Sequence, residues 1–253
     1  IVVHLVVDTR DAMGANAVNT MAERLAPVLA DWVSGRALLR ILSNLADRRI
    51  VRAEAVWPAA EIGGPDVIEA VLDAADFAII DPYRAATHNK GIMNGVSAVV
   101  LATGNDTRAI EAGAHAFAAQ SGQYGPLTRW EKTASGDLAG SIEIPLSLGI
   151  VGGATRIHPV AQLALQIMGA DSAEKLSRMV AAVGLAQNLG ALRALATDGI
   201  QKGHMALHAQ NIAITAGAEG DEIVQLAEAM KASGEINERA ATRLLKALRS
   251  GSG

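Results

Sequence analysis

An α+β fold, mainly helical, is what this sequence predicts, on three observations. Two short segments near residues 2–8 and 48–57 are rich in Val or alternate in polarity. A strand–turn–strand pattern covers 127–144, and helical spacing governs most of the remainder. Half of the 253 residues are hydrophobic, yet only seven are aromatic (three Trp, two Tyr, two Phe). The core is therefore expected to consist of Ala, Val, Leu and Ile on closely packed helices.

Taken in order, Val2–Asp8 is short and apolar, which suits a buried strand. Ala15–Val33 carries Val18, Met21, Ala22, Leu25 and Leu29 at helical spacing. Arg48–Trp57 alternates and reads as a second strand. Gly63-Gly64-Pro65 is a turn and a candidate domain boundary. Asp66–Phe77 predicts a helix, Asp81–Asn89 a polar loop, and Lys90–Ala102 and Thr107–Gln120 two further helices. Leu127–Lys132 and Leu138–Ile144 flank Ala134-Ser135-Gly136-Asp137 and predict a β-hairpin. Asp171-Ser172-Ala173-Glu174 reads as a capping box, Asp171 accepting from the Glu174 amide, that opens a helix reaching Thr197. Gly184 and Gly190 inside it each cost about 1 kcal/mol relative to Ala, so both are expected at close helix contacts. Helices over Gly203–Ala216, Asp221–Ser233 and Glu238–Arg249 follow, the last capped by Asn237.

Composition excludes several functions. The net charge is −4 with no basic block, so nucleic acid is not an expected partner. With no Cys there is no disulfide framework, thiolate metal site or Cys nucleophile, which is compatible with a cytoplasmic protein. No apolar run reaches membrane-span length and no signal peptide is evident. The first residue is Ile1, inside what reads as a strand, so a preceding segment is expected to be missing. Ser250-Gly251-Ser252-Gly253 reads as a tail. Neither G-x-G-x-x-G nor a P-loop motif occurs, which removes the usual support for a Rossmann or P-loop domain.

Four polar groupings remain. Asp11-Ala12-Met13-Gly14-Ala15-Asn16 joins strand to helix; its backbone amides suit an anion, or Asp11 merely caps the helix. Asp81–Gly91 is the densest polar stretch: Arg84 offers a planar fork to a carboxylate, and Lys90 a point charge in the positive field of a helix start. As a plain solvated loop it would look the same. Asp106 after Gly104-Asn105 is an N-cap or a carboxylate partner for a lysine. His204 and His208 share a helical face, but with no third ligand in view a proton-transfer role for one of them is the better expectation than metal. His4, His115 and His158 read as ordinary partly buried side chains.

Read in succession, Asp11–Asn16, Leu42-Ser43-Asn44-Leu45-Ala46-Asp47, Asp81–Gly95 (DPYRAATHNKGIMNG), Ala102–Asp106, Gly149–Thr155 and Gly203–His208 closely resemble class II (bacterial-type) 3-hydroxy-3-methylglutaryl-CoA reductase over nearly the whole chain. The resemblance implies reduction of HMG-CoA to mevalonate and CoA, or the reverse, with two NAD(P)H. It makes Lys90 the catalytic lysine that holds the developing oxyanion, Asp106 its partner aspartate, and His204 the flap histidine that protonates the departing CoA thiolate. It makes Arg84 the grip on the substrate carboxylate and Asn94 a neighbouring contact. Asp11, Met13, Gly14, Asn16 and Asn44 would bind the dinucleotide, NAD by closeness to degradative members and NADP as the alternative, with no metal. The implied architecture is a partial small non-Rossmann cofactor domain over 1–60, a substrate domain over 61–198 and a C-terminal helical flap over 199–253, assembled as a homodimer or a multiple of it. The family's catalytic glutamate has no counterpart here, so the chain as written is expected to be an incomplete enzyme. The alternatives are a CoA-thioester lyase or hydrolase without hydride, and a non-catalytic CoA-binding or oligomerisation module.

Overall fold

A computed structural model describes residues 1–197 and 200–250, apart from the side chains of residues 154 and 200–207. Residues Ile1–Thr9 form no strand, contrary to expectation, and Val2, Val3 and Val6 are exposed. The physical reason is pairing: among the described residues the one sheet is three-stranded and its members lie elsewhere, and an unpaired apolar segment has no ladder to join. Helix α1 (Ala15–Trp32) forms as predicted but buries no residue, so the stripe containing Met21 has no cover among the described residues.

Strand β1 (Ile50–Trp57) alternates as the sequence suggested. It pairs antiparallel with β3 (Leu138–Pro145), which in turn pairs with β2 (Thr128–Lys132), giving the order β1-β3-β2. Trp57 and Trp130 meet on this sheet at 5.5 Å between ring centroids. Gly140 lies beneath Trp130, where a Cβ would sit 2.4 Å from the indole.

After a short helix α2 (Ala59–Ile62), Gly63 takes the left-handed conformation of a C-cap and Pro65 opens α3 (Pro65–Ile80). The stretch expected to loop from Asp81 to Asn89 is instead the start of α4 (Pro82–Ala102). Asp81 caps it by accepting from the Tyr83 and Arg84 amides at 3.2 and 3.1 Å, and Pro82 occupies the first helical position. Cap and proline together outweigh the polar composition. Lys90 consequently lies two turns inside the helix rather than in the field of its N-terminus.

Helix α5 (Thr107–Ala118) follows, and beyond the hairpin come α6 (Gly153–Ile157), α7 (Pro159–Met168) and α8 (Ala173–Ala196). The cap of α8 is Ser172, whose Oγ accepts from the Lys175 amide, one residue later than predicted; Asp171 pairs with Lys175 at 3.5 Å instead. By length and composition α8 could cross a membrane, contrary to the sequence expectation. Its Leu176, Val180 and Leu185, however, pack with Ile92 and Val96 of α4, Ile110 of α5 and Ile142 of β3 in the main core. Gly184 is required at this contact, since a Cβ would lie 2.9 Å from Val96; Gly190 has nothing within 4 Å and needs another explanation.

Two compact units result, Ile1–Leu192 and Arg193–Gly253. The second contains α9 (Ile200–Thr215), α10 (Asp221–Ser233) and α11 (Glu238–Ser250) around Ile212, Leu226, Met230 and Leu245. Asn237 caps α11 as predicted, and Arg249 closes the bundle with two bonds to Glu222, whose carboxyl is held down to about 2 chiefly by them.

Candidate active site

Helices α4 and α5 border an open cleft of about 540 Å³ lined by Lys90, Asn94, Ser97, Thr107, Glu111 and His115 together with Met93, Ala98 and Leu101. Lys90, Asn94, Ser97 and Leu101 recur at three- and four-residue spacing, so one face of α4 supplies them. Ser97 donates to Glu111 at 2.7 Å, joining the two walls. Among the described residues Lys90 makes no hydrogen bond or ion pair, so its ammonium is available to a ligand oxygen.

Asp106 caps α5, its Oδ1 accepting from the Arg108 and Ala109 amides at 3.0 and 3.1 Å. No hydrogen bond or ion pair joins it to Lys90 among the described residues; its place beside the cleft comes from the next residue, Thr107, which lines the wall. Arg84 departs from the others. Six residues of helix turn it about 240° from Lys90, onto the face of α4 where Gly91 approaches Ala191 of α8. Its guanidinium is half-buried, partly desolvated and without an ion-pair partner among the described residues, and desolvation lowers its pKa. The side chain of His204 lies outside the described residues; His208 is exposed.

The loop at 11–14 is anchored by groups that spacing alone did not reveal. Asp11 does not cap the helix that follows it; its Oδ1 accepts from the Ala173 amide at 2.8 Å and so caps α8. Gly14 has φ of +93°, and a Cβ there would strike Thr9. Because α1 has no side-chain cap, its first amides remain free for an anion. Gly149 admits the loop closely, for a Cβ would lie 2.4 Å from the Met13 nitrogen. The Gly149 amide donates to Asn105 Oδ1 at 2.9 Å, which links the loop to the residue before Asp106. Arg49 completes the anchoring with bonds to Thr9 Oγ1 (3.1 Å), Ala12 O (3.1 Å) and Leu148 O (2.9 Å). The Asn44 backbone carbonyl lies against α5, 2.5 Å from where a Gly113 Cβ would project. Asn16 is exposed on α1.

Behind the cleft sit two networks. Buried His88 meets Thr128 Oγ1 at 2.7 Å through Nε2, and Thr128 and Trp130 both donate to Asn188 Oδ1 at 2.9 Å. Burial, aided by Arg84, lowers the His88 pKa to about 4. Asn89 accepts from the Leu127 amide and donates to Gly125 O and to the Tyr124 hydroxyl, which lies 2.7 Å from His115 Nδ1. Sequence reading passed over both histidines, because their partners lie 9 to 40 residues away.

Fold and cleft together define a mixed helix and small antiparallel-sheet protein in which a lysine and a helix N-terminus, both without partners among the described residues, are available to an anionic ligand. The chain belongs to the hydroxymethylglutaryl-coenzyme A reductase family, whose model matches residues 1–209. It is 55% identical over 250 residues to 3-hydroxy-3-methylglutaryl-coenzyme A reductase of Archaeoglobus fulgidus, covering 99% of this chain and 57% of that one. A probable enzyme of the same name from Borreliella burgdorferi is 41% identical over 214 residues, covering 83% and 49%. The solved class II reductase of Streptococcus pneumoniae bound to NADPH superposes with a TM-score of 0.74 at 42% identity, covering 96% of this chain and 60% of that one. The chain thus spans about half the length of the curated relatives it matches.

Proposed function

We propose that this chain carries part of the active site of an HMG-CoA reductase that interconverts HMG-CoA and mevalonate plus CoA, with a nicotinamide nucleotide as the hydride carrier. The observation that carries the reading is Lys90, unpaired among the described residues and facing a cleft shared with Asn94 and Thr107. An ammonium there stabilises the oxyanion that forms when a thioester carbonyl is reduced. Asp106, one residue from the cleft wall, holds or returns the lysine's proton, and His204 of the second unit protonates the CoA thiolate. Arg84, partly desolvated and without an ion-pair partner among the described residues, is given the substrate carboxylate by the resemblance, although it lies on another face of α4 from the cleft, and Asn94 orients the reacting end.

The residues at 11–16 suit a dinucleotide pyrophosphate: the first amides of α1 have no side-chain cap, and Gly14 and Gly149 hold the loop that presents them, since a Cβ at either would strike Thr9 or Met13. Bound there, the nucleotide supplies hydride. Asp11, Met13, Gly14, Asn16 and Asn44 then hold it, as NAD or, as in the pneumococcal relative, NADP. The same reading assigns 1–60 to a partial cofactor domain, 61–198 to the substrate domain and 199–253 to a flap that excludes water, in a cytoplasmic homodimer or multiple of it.

The test is turnover in a protein of the relatives' full length that contains this chain. HMG-CoA must oxidise the nicotinamide, and Lys90→Ala must lower kcat by about 100-fold or more with the circular dichroism unchanged. Release of CoA without nicotinamide oxidation, or a Lys90→Ala protein that turns over normally, overturns the reading.

A further inference from the structure

We propose that His115 is a second hydrogen-bond donor of the Lys90 cleft, fixed by Asn89 and Tyr124 in the tautomer that carries its proton on Nε2, and that it binds an oxygen of the acyl group; the ligand half of this rests on the function proposed above. The tautomer follows from the bonds. Asn89 is fully buried, and its amide orientation is set at both ends, Oδ1 receiving the Leu127 amide and Nδ2 donating to Gly125 O, each at 2.9 Å. Its Nδ2 therefore also donates, at 3.0 Å, to the Tyr124 oxygen. The phenolic hydrogen is directed away from that donor, and the acceptor within reach is His115 Nδ1 at 2.7 Å. A neutral ring that accepts at Nδ1 bears its hydrogen on Nε2.

That second nitrogen is open to a ligand. It has no hydrogen-bond partner among the described residues, yet the one buried side-chain polar atom there without a partner is Nδ1 of His88. Nε2 of His115 therefore reaches solvent, and His115 lines the cleft with Lys90 and Asn94. The ring is held nearly parallel to Tyr124, with centroids 6.0 Å apart and planes at 27°. The one carboxylate in the cleft wall, Glu111, already accepts from Ser97. Two donors, an ammonium and an imidazole N–H, thus face a space that asks for oxygen. Asn89 is adjacent in sequence to Lys90, so the chain that orients His115 also fastens the helix that presents the lysine.

Long-range ¹H–¹⁵N spectra of the chain read the tautomer directly. The expected pattern is Nε2–H in the native protein, and a mixed or reversed pattern in Tyr124→Phe. Titration with HMG-CoA should move the Nε2 resonance. His115→Gln, whose side-chain N–H reaches the place of Nε2, should keep the affinity within about twofold, whereas His115→Asn, which mimics only Nδ1, should lose about tenfold. A His115 protonated on Nδ1, or a Tyr124→Phe protein with an unchanged tautomer, overturns the inference whatever the reaction. The expected tautomer with an Nε2 that ignores HMG-CoA overturns its ligand assignment. Lys90→Ala binding HMG-CoA as tightly as the native chain would count against the proposed function instead and leave the tautomer result standing.

Discussion

Arg49 and His88 carry the most consequence per side chain in the larger unit. Arg49 spreads its fork over Thr9, Ala12 and Leu148, three stations up to 99 residues from it in sequence. A lysine cannot reproduce that, because a single ammonium does not present a planar set of donors. Arg49→Lys should therefore destabilise the chain by about 2 kcal/mol, and hydrogen exchange should quicken at the Ile150 amide, which is bonded to Asp11 O; unchanged exchange there would show that the loop anchors itself. His88 has a pKa of about 4 in the fold against 6.5 unfolded. Between those values the unfolded chain binds the additional proton, so stability is full above about pH 6.5 and is lost as pH falls towards 4, by about 3 kcal/mol in all. Urea titrations at pH 7 and pH 5 should show about 2 kcal/mol of this loss, and His88→Gln should flatten the difference even though it lowers stability at both. Residues whose job is local were legible in the sequence: Asp106 and Asn237 as caps. Those whose partners are remote, Arg49, His88, Asn89 and His115, were not, since nothing in a linear spacing of 9 to 99 residues announces a hydrogen bond.

At the scale of elements, the period of the apolar residues carried most of the fold. The hairpin, β1 and the helices α3, α5, α8, α10 and α11 lie where patterning put them, within a few residues at their ends. The failures have distinct causes. Residues 2–8 have strand composition but no partner strand, and a strand is a property of a pair. Residues 81–89 have loop composition but begin with a cap and a proline, and helix initiation won. The site was legible to the extent that its polar residues lie on one helix: Lys90 and Asn94 share a cleft, whereas Arg84, equally polar, looks elsewhere because six residues do not close a turn. The two glycines of α8 make a matched test of packing against propensity. Gly190→Ala meets nothing within 4 Å and should raise the melting temperature through roughly 0.5–1 kcal/mol of helix propensity. Gly184→Ala drives a methyl to 2.9 Å from Val96 and 3.3 Å from Ile92 and Ile142, and overpacking by roughly 1–3 kcal/mol should exceed the same propensity gain. Thermal melts of the pair should thus shift in opposite directions; a stabilised Gly184→Ala would mean that α4 and α8 separate at little cost.

On the scale of the molecule, the division at Leu192 gives each unit its own core, and that has an energetic consequence. The larger unit gathers its buried residues from α4, α5, α8 and the sheet; among the described residues the smaller one draws mainly on α9, α10 and α11, with Ala209, Ala213, Ala227 and Ala241 among its buried positions. Alanine removes little apolar surface from water, so among the described residues the larger side chains, Ile212, Leu226, Met230 and Leu245, supply most of the smaller unit's cohesion. A unit of about 60 residues with so spare a core is only marginally stable. It follows that Leu226→Ala, at about 3 kcal/mol, should take the helices of the smaller unit close to their unfolding midpoint. Exchange should then become fast through the amides of α10 and α11 while the β1–β3 ladder keeps its protection, a pattern readable residue by residue. Equal loss of protection in both units would show one cooperative body instead.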